Sequence, residues 1–377
     1  MIIDGVEMLV LLRPSFLPAL KTMAFTLMIV PVALAQSTAI GENVSAAGYL
    51  MRSDAMASAL NARWLSHKGG LVDWSEVNAW QRFVIIDALA DYVRLSHDRR
   101  MLPVIRQAVV NHHGLDGNDD DLWAVIASLD VYGITKDQAL LAYGERQFDH
   151  LASNYWDQVC GGGLWWDHKK TYKNAITNEL FMYAATVLYL ASGKKEYLAW
   201  AKRTLSWFNA TGMINSDDLV NDGLNSRCVN NHRKTYTYNQ GVILGGLTNL
   251  YKITGTQSYL EQAMTLAKAS TSGALAPDGI LREPIDDLKK DAQSFKGIYV
   301  RHLGYLYAEM PADSSRAAIA LFLKTNAAQV WKGVEKRHDK LVDGIWKGGG
   351  GIGAASQASG IDLFNAASLV AGEPAGQ

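Results

Sequence analysis

Helical spacing dominates this sequence and predicts an all-α fold: an (α/α)6 barrel built from helical hairpins, forming a single domain. Three observations carry that reading. Apolar positions recur in threes and fours along most of the chain, while strand-like alternation is scarce. The periodic segments come in pairs joined by short glycine-containing turns, as at Ser192-Gly193-Lys194 and Thr254-Gly255-Thr256. The pairs share no fixed-period motif, which disfavours the common solenoids. Two rings of helices, six inside and six outside, would bury an apolar face on every hairpin and leave a cleft at one end. At 377 residues, 49% of them hydrophobic, the chain is long enough to close such a ring as one domain.

Taken in order, residues 1–35 read as an export signal and 36–377 as the barrel domain. Lys21 precedes an apolar run from Met23 to Val32, and Ala33-Leu34-Ala35 offers a small-x-small cleavage site before Gln36. The run is too short to span a bilayer. Asp4 and Glu7 suit a signal poorly, which points to a start later than Met1. Helices follow at 46–66 and 76–97. In the second, Trp80, Phe83, Val84, Ile86, Asp87, Leu89, Ala90 and Val93 recur at helical spacing. A third helix covers 100–112 and closes on His112-His113-Gly114. Segments 121–133 and 137–152 come next, then the hairpins 174–192 with 194–209 and 238–253 with 256–271. The tail adds 296–309, 312–333 and 357–370.

Beyond Ala35 no segment is long and apolar enough to cross a membrane, and the C-terminus lacks the hydrophobic tail of a lipid-anchor signal. The expectation is a soluble, secreted or periplasmic monomer with no stable membrane anchor. With 36 basic and 37 acidic side chains, nothing argues for nucleic acid or an anionic membrane as partner. The 11 Trp and 16 Tyr are the compositional excess, and rings that line a groove suit the C–H faces of sugars. Cys160 and Cys228 are the only cysteines, so an oxidising compartment predicts one bridge, with two buried thiols as the alternative. Asn43-Val44-Ser45 and Asn209-Ala210-Thr211 are glycosylation sequons, relevant only in a eukaryotic source.

One stretch stands out chemically. Gly117-Asn118-Asp119-Asp120-Asp121-Leu122-Trp123 sets three carboxylates ahead of an apolar helix start. Adjacent like charges resist joint ionisation, so one carboxyl of a partly buried pair is poised as an acid. The alternative is a solvated acidic turn that caps a helix. Glycosidic hydrolysis needs two such carboxyls, and neighbouring side chains can splay to the roughly 5–5.5 Å of retaining enzymes. His112, His113 and Asp116 invite a metal reading, but no third ligand follows at metal-site spacing. No metal or other cofactor is expected.

The long connections have unusual compositions. Gly161-Gly162-Gly163-Leu164-Trp165-Trp166-Asp167 and the segment from Asn215 to Leu224 lie between helices, and Gly348 to Gly351 precedes the last one. Glycine-rich loops bearing Trp, Asp and Asn are where binding residues tend to lie. From about residue 60 to about 370 the sequence resembles glycoside hydrolase family 76, the secreted endo-α-1,6-mannanases. Four stretches in order carry that resemblance: the glycine-tryptophan loop Gly161 to Asp167, Thr171 to Leu180 with its Lys173-Asn174-Ala175 and Asn178-Glu179, Ile214 to Leu224, and Tyr236 to Gly241. The aspartates ahead of Leu122-Trp123 fall where the family has its catalytic pair. Ala124 and Ser128 depart from it, since many relatives carry Trp there.

The resemblance implies that Asp119 is the nucleophile and Asp120 the acid/base, leaving Asp121 as a capping residue. Trp123, Trp165 and Trp166 are candidate sugar platforms, with core packing as the alternative. Asp222, Asn239 and Gln240 are candidate hydrogen-bond partners of mannose hydroxyls, with loop capping as the alternative. The expected activity is retaining hydrolysis of α-1,6-mannosidic links, with α-mannan as the partner polysaccharide. Two other readings stay open: a cell-wall transglycosylase using the same covalent intermediate, and a non-catalytic mannan-binding protein. An epimerase or an unsaturated uronyl hydrolase of related fold fits less well.

Overall fold

The structure is a computed structural model that describes residues 44–285 and 291–373; the expected signal segment lies outside them. Twelve α-helices follow one another among the described residues: α1 Ala46–Trp64, α2 Ala79–Ser96, α3 Leu102–Ala108, α4 Asn118–Thr135, α5 Gln138–Tyr155, α6 Ala175–Ser192, α7 Lys195–Ala210, α8 Thr237–Thr254, α9 Gln257–Ser270, α10 Ala292–Glu309, α11 Ser314–Arg337 and α12 Ala354–Leu369. The barrel is as the spacing predicts. The even-numbered helices form the inner ring, each packed against the next, and α12 closes on α2. Odd-numbered helices pack outside them.

Composition explains the layering. Inner helices are buried on nearly all faces, so α8 buries Val242, Ile243, Leu244 and Leu247 in succession. Outer helices show one apolar stripe; α5 buries Leu140, Gly144, Phe148 and Leu151 at spacings of three and four. Close approach inside the ring needs glycine. A Cβ on Gly297 of α10 would stand 2.5 Å from the Ser359 Cα of α12.

Charge crosses the barrel centre. Buried Arg301 of α10 donates to Asp362 of α12 at 2.8 and 2.9 Å and to Asp87 of α2 at 3.1 Å. Burial pushes Asp362 up to about 6 despite that partner. The ring is fastened where its ends meet. Ser53 of α1 donates to Asn365 of α12 at 2.7 Å, Asn365 to the Ala88 carbonyl at 2.9 Å, and Gln357 to the Met56 carbonyl at 3.0 Å.

Two expectations need correction. The first helix stops at Trp64, and Leu65–Lys68 pairs antiparallel with Leu71–Trp74 as strands β1 and β2. Gly69 and Gly70, at φ 63° and 81°, supply the tight turn, which overrides helical continuation. Helix α3 ends at Ala108, well short of His112.

Candidate active site

All six inner helices run in one direction, so their N-termini surround one mouth of the barrel. The acidic triplet lies there, inside the first turn of α4 rather than ahead of it. Asn118 straps that turn to the glycine-tryptophan loop: its N–H donates to the Trp166 carbonyl at 2.9 Å and its amide to the Trp165 carbonyl at 2.8 Å. The exposed Trp166 ring then returns its indole N–H to Asp119 Oδ2 at 3.0 Å. Burial, and next the charge of Asp120, push Asp119 up to about 8, against the Trp166 N–H and two backbone N–H groups. Asp120 accepts from the Asp116 N–H at 3.1 Å, and burial pushes it up to about 6.

Asp121 does not cap the helix. No side chain caps α4, and the Asp121 carboxylate faces His168 Nε2 at 3.6 Å. Burial raises it and His168 opposes the rise.

The loop that carries Trp166 is held from three sides. Asn178 brackets Leu164 through both its N–H and its carbonyl, at 2.7 and 3.0 Å. Buried Lys173 donates to Asp157 and to the carbonyls of Val159 and Gly162, at 2.8, 2.6 and 2.7 Å. Cys160 is bridged to Cys228, with Cα atoms 5.1 Å apart. Gly163, at φ 89°, lies so close to Trp207 that a Cβ would stand 2.3 Å from the ring.

The residues chosen from sequence divide on inspection. Trp166 is 40% exposed and touches Asp119. Trp165 donates to Asp157 at 2.7 Å and lies under the Lys173 ammonium, which anchors the loop. Trp123 is 2% exposed and backs the ring of Trp80, which the sequence reading took only as an apolar helix position, at 5.7 Å. Trp80 continues to Phe295 at 6.3 Å, and Phe295 stacks on Tyr238 at 3.9 Å. Asp222 accepts from the Tyr172 hydroxyl at 2.7 Å. Gln240 is tied to the backbone: it accepts from the Val220 N–H at 2.8 Å and donates to the Val220 and Tyr236 carbonyls. Its amide braces the loop, as the capping alternative has it. Asn239 is buried, and neither end of its carboxamide finds a protein partner; the same holds for both oxygens of Glu179. Burial raises Tyr238 well above its usual range, and Asp222, Asp119 and Glu179 add to the rise, which groups the three acids with this phenol electrostatically. His112 stacks on Tyr143 at 4.1 Å and belongs to the packing.

Trp80, Tyr172, Tyr238 and Phe295 were missed. Tyr238 and Tyr172 each lay inside a quoted motif, whereas Trp80 read as one apolar position among many. Phe295 sits at the start of α10, ahead of the segment predicted as helical.

Residues 75–374 match the model of glycosyl hydrolase family 76. The chain belongs to that family. Among curated proteins, it is 26% identical over 271 residues to mannan endo-1,6-alpha-mannosidase DCW1 of Candida albicans, covering 63% of this chain and 59% of that protein. To the DCW1 protein of Eremothecium gossypii it is 29% identical over 238 residues, 58% of this chain and 52% of that one. It therefore spans little more than half the length of these relatives. The fold matches the GH76A alpha-1,6-mannanase of Salegentibacter sp. HEL1_6 with a TM-score of 0.76 at 24% identity, over 85% of this chain and 99% of that one. A variant of that mannanase with two consecutive aspartates replaced by asparagine is described as inactive and was solved with alpha-1,6-mannotriose (TM-score 0.75, 23% identity, the same coverage).

Proposed function

We propose that this chain is a secreted, retaining glycosidase that cleaves α-1,6-mannosidic linkages in mannan. The observation that carries the proposal is the pair Asp119 and Asp120 in the first turn of α4, both raised and raised unequally. The mannanase inactivated at two consecutive aspartates, and the relatives named for endo-1,6-mannosidase activity, support the same choice.

In the first step an Asp119 oxygen attacks the anomeric carbon while the glycosidic C–O bond breaks and the Asp120 proton goes to the leaving oxygen. Water then attacks the same carbon, gives a proton to Asp120, and Asp119 leaves. The free pair holds one proton. In the covalent intermediate it holds none, because Asp120 has given its proton to the leaving oxygen and Asp119 is esterified, and water restores it in the second step. In the free protein burial favours that proton on Asp119, so productive binding has to favour its transfer to Asp120. Positive charge developing at the anomeric carbon favours it by stabilising an ionised Asp119. That electrostatic order also favours a second reading, in which Asp120 attacks and Asp119 protonates.

Ranking Asp119→Asn, Asp120→Asn and Asp121→Asn on linear α-1,6-mannan and on an activated aryl mannoside tests both. The acid/base variant keeps activity on the aryl substrate and, with azide, yields an α-mannosyl azide. Asp120→Asn should behave so; the same behaviour from Asp119→Asn would exchange the roles. If Asp121→Asn alone were inactive, the catalytic pair would have to be reassigned. Elongated products in place of shortened ones would convert the proposal to transglycosylation.

A further inference from the structure

Away from the aspartates, between α7 and the loop that follows α5, lies a cavity of about 420 Å³. Trp156, Arg203, Ser206, Trp207 and the Cys160–Cys228 bridge line it. No acid lines it, so Arg203 is its only charged side chain. The Arg203 guanidinium lies over the rings of Trp156 and Trp200 at 5.0 and 4.8 Å, and no carboxylate of the described residues pairs with it. Stacking of this kind leaves the edge N–H donors of a guanidinium open to a planar or tetrahedral oxyanion. Trp156 is buried, and its indole N–H has no acceptor in the protein. Ser206 adds an exposed hydroxyl. Next to Cys228, the loop also carries the exposed Arg227, in no ion pair among the described residues.

We propose that this cavity is a second binding site, taking a phosphorylated sugar unit of a glycan. Phosphate supplies the charge that Arg203 lacks a partner for and acceptors for the neighbouring N–H and O–H groups. The volume lies within the roughly 300–1,000 Å³ of small-molecule sites, so it has room for a sugar ring beside the indoles. An inorganic anion alone would leave most of it empty. Binding here requires no hydrolysis and is separable from the proposed activity.

Calorimetric titration of the full chain with mannose 6-phosphate, mannose and inorganic phosphate tests the site. Mannose 6-phosphate should bind at least tenfold more tightly than either of the others. Arg203→Gln should weaken it at least tenfold, Arg203→Lys less, with turnover of neutral α-1,6-mannan unchanged in both. Should Arg203→Gln fail to fold, Arg227→Gln, outside the packed rings, should weaken binding severalfold. Unchanged affinity in the variants, equal affinity for mannose or inorganic phosphate, or no binding of the sugar phosphate would overturn the proposal. Loss of mannan turnover in the wild-type protein with sugar-phosphate binding intact would count against the glycosidase reading alone.

Discussion

Replacing Trp166 by Phe keeps an aromatic ring over the mouth and removes the single N–H that reaches Asp119. That N–H is 3.0 Å from Oδ2 and belongs to a residue 40% exposed, so its loss belongs at the low end for a bond to a charged group, about 1.5 kcal/mol. One pKa unit corresponds to about 1.4 kcal/mol, so Asp119 should rise by about one unit, from about 8 to about 9. With Asp120 near 6, about one free pair in a hundred holds its proton on Asp120 with Asp119 ionised. The substitution should cut that fraction about tenfold. The optimal kcat/KM should therefore fall about tenfold, and the alkaline limb of its pH profile should move up by about one unit. Trp166→Ala should show the same two changes and a raised KM, since the ring is lost as well. Initial rates on α-1,6-mannotetraose across the pH range, with products resolved by anion-exchange chromatography, measure all of this. A Phe variant within twofold of wild type and with an unmoved alkaline limb would refute the reasoning. An upward limb without the loss of rate would mean that Asp120 is the nucleophile.

The wild-type kcat/KM should be bell-shaped, with limbs near 6 and 8. Below the lower limb both aspartates are protonated and no nucleophile remains; above the upper one both are ionised and no acid remains. Gly163→Ala should destabilise by about 2–4 kcal/mol through its positive φ and its collision with Trp207, read as a lowered midpoint in chemical unfolding. Gly161→Ala, at φ 74° but with nothing within 4 Å, should cost only about 1 kcal/mol in the same experiment. Replacing both cysteines by serine should lose about 4 kcal/mol, from a bridge closing 68 residues of separation, and a loss under 1 kcal/mol would speak against a chain-entropy origin.

The fold was legible because inner and outer helices differ in a property one sequence displays, the width of the apolar face. Helix positions from spacing fall within a few residues of the structure for α4 to α9. The β1–β2 hairpin was also visible in principle, as Gly69-Gly70 between two alternating runs, but the preceding helical period absorbed it. Individual roles at the mouth were harder to read. Gln240 and Trp165 carry chemistry suited to a sugar, yet each is engaged by backbone or by Asp157 from segments distant in sequence. Trp123 is buried and Trp80 half-buried where α2 and α4 meet in the ring, a neighbourhood that no local pattern records. Asp121 looked like a cap because the helix start was placed at the apolar run; α4 begins three residues earlier, at Asn118.

The closure of the inner ring has a consequence for biosynthesis. Ser53 meets Asn365 across 312 residues of chain, and Met56 meets Gln357 across 301. While α12 is still inside the ribosome, α1 and α2 have left it with an apolar side uncovered, waiting for their partner. Contacts of such long sequence separation slow folding, and nascent intermediates of this kind are prone to associate with one another. The demand on holding chaperones should therefore last through nearly the whole of translation, and a ribosome stalled before α12 should display a sticky, protease-sensitive five-sixths of a ring.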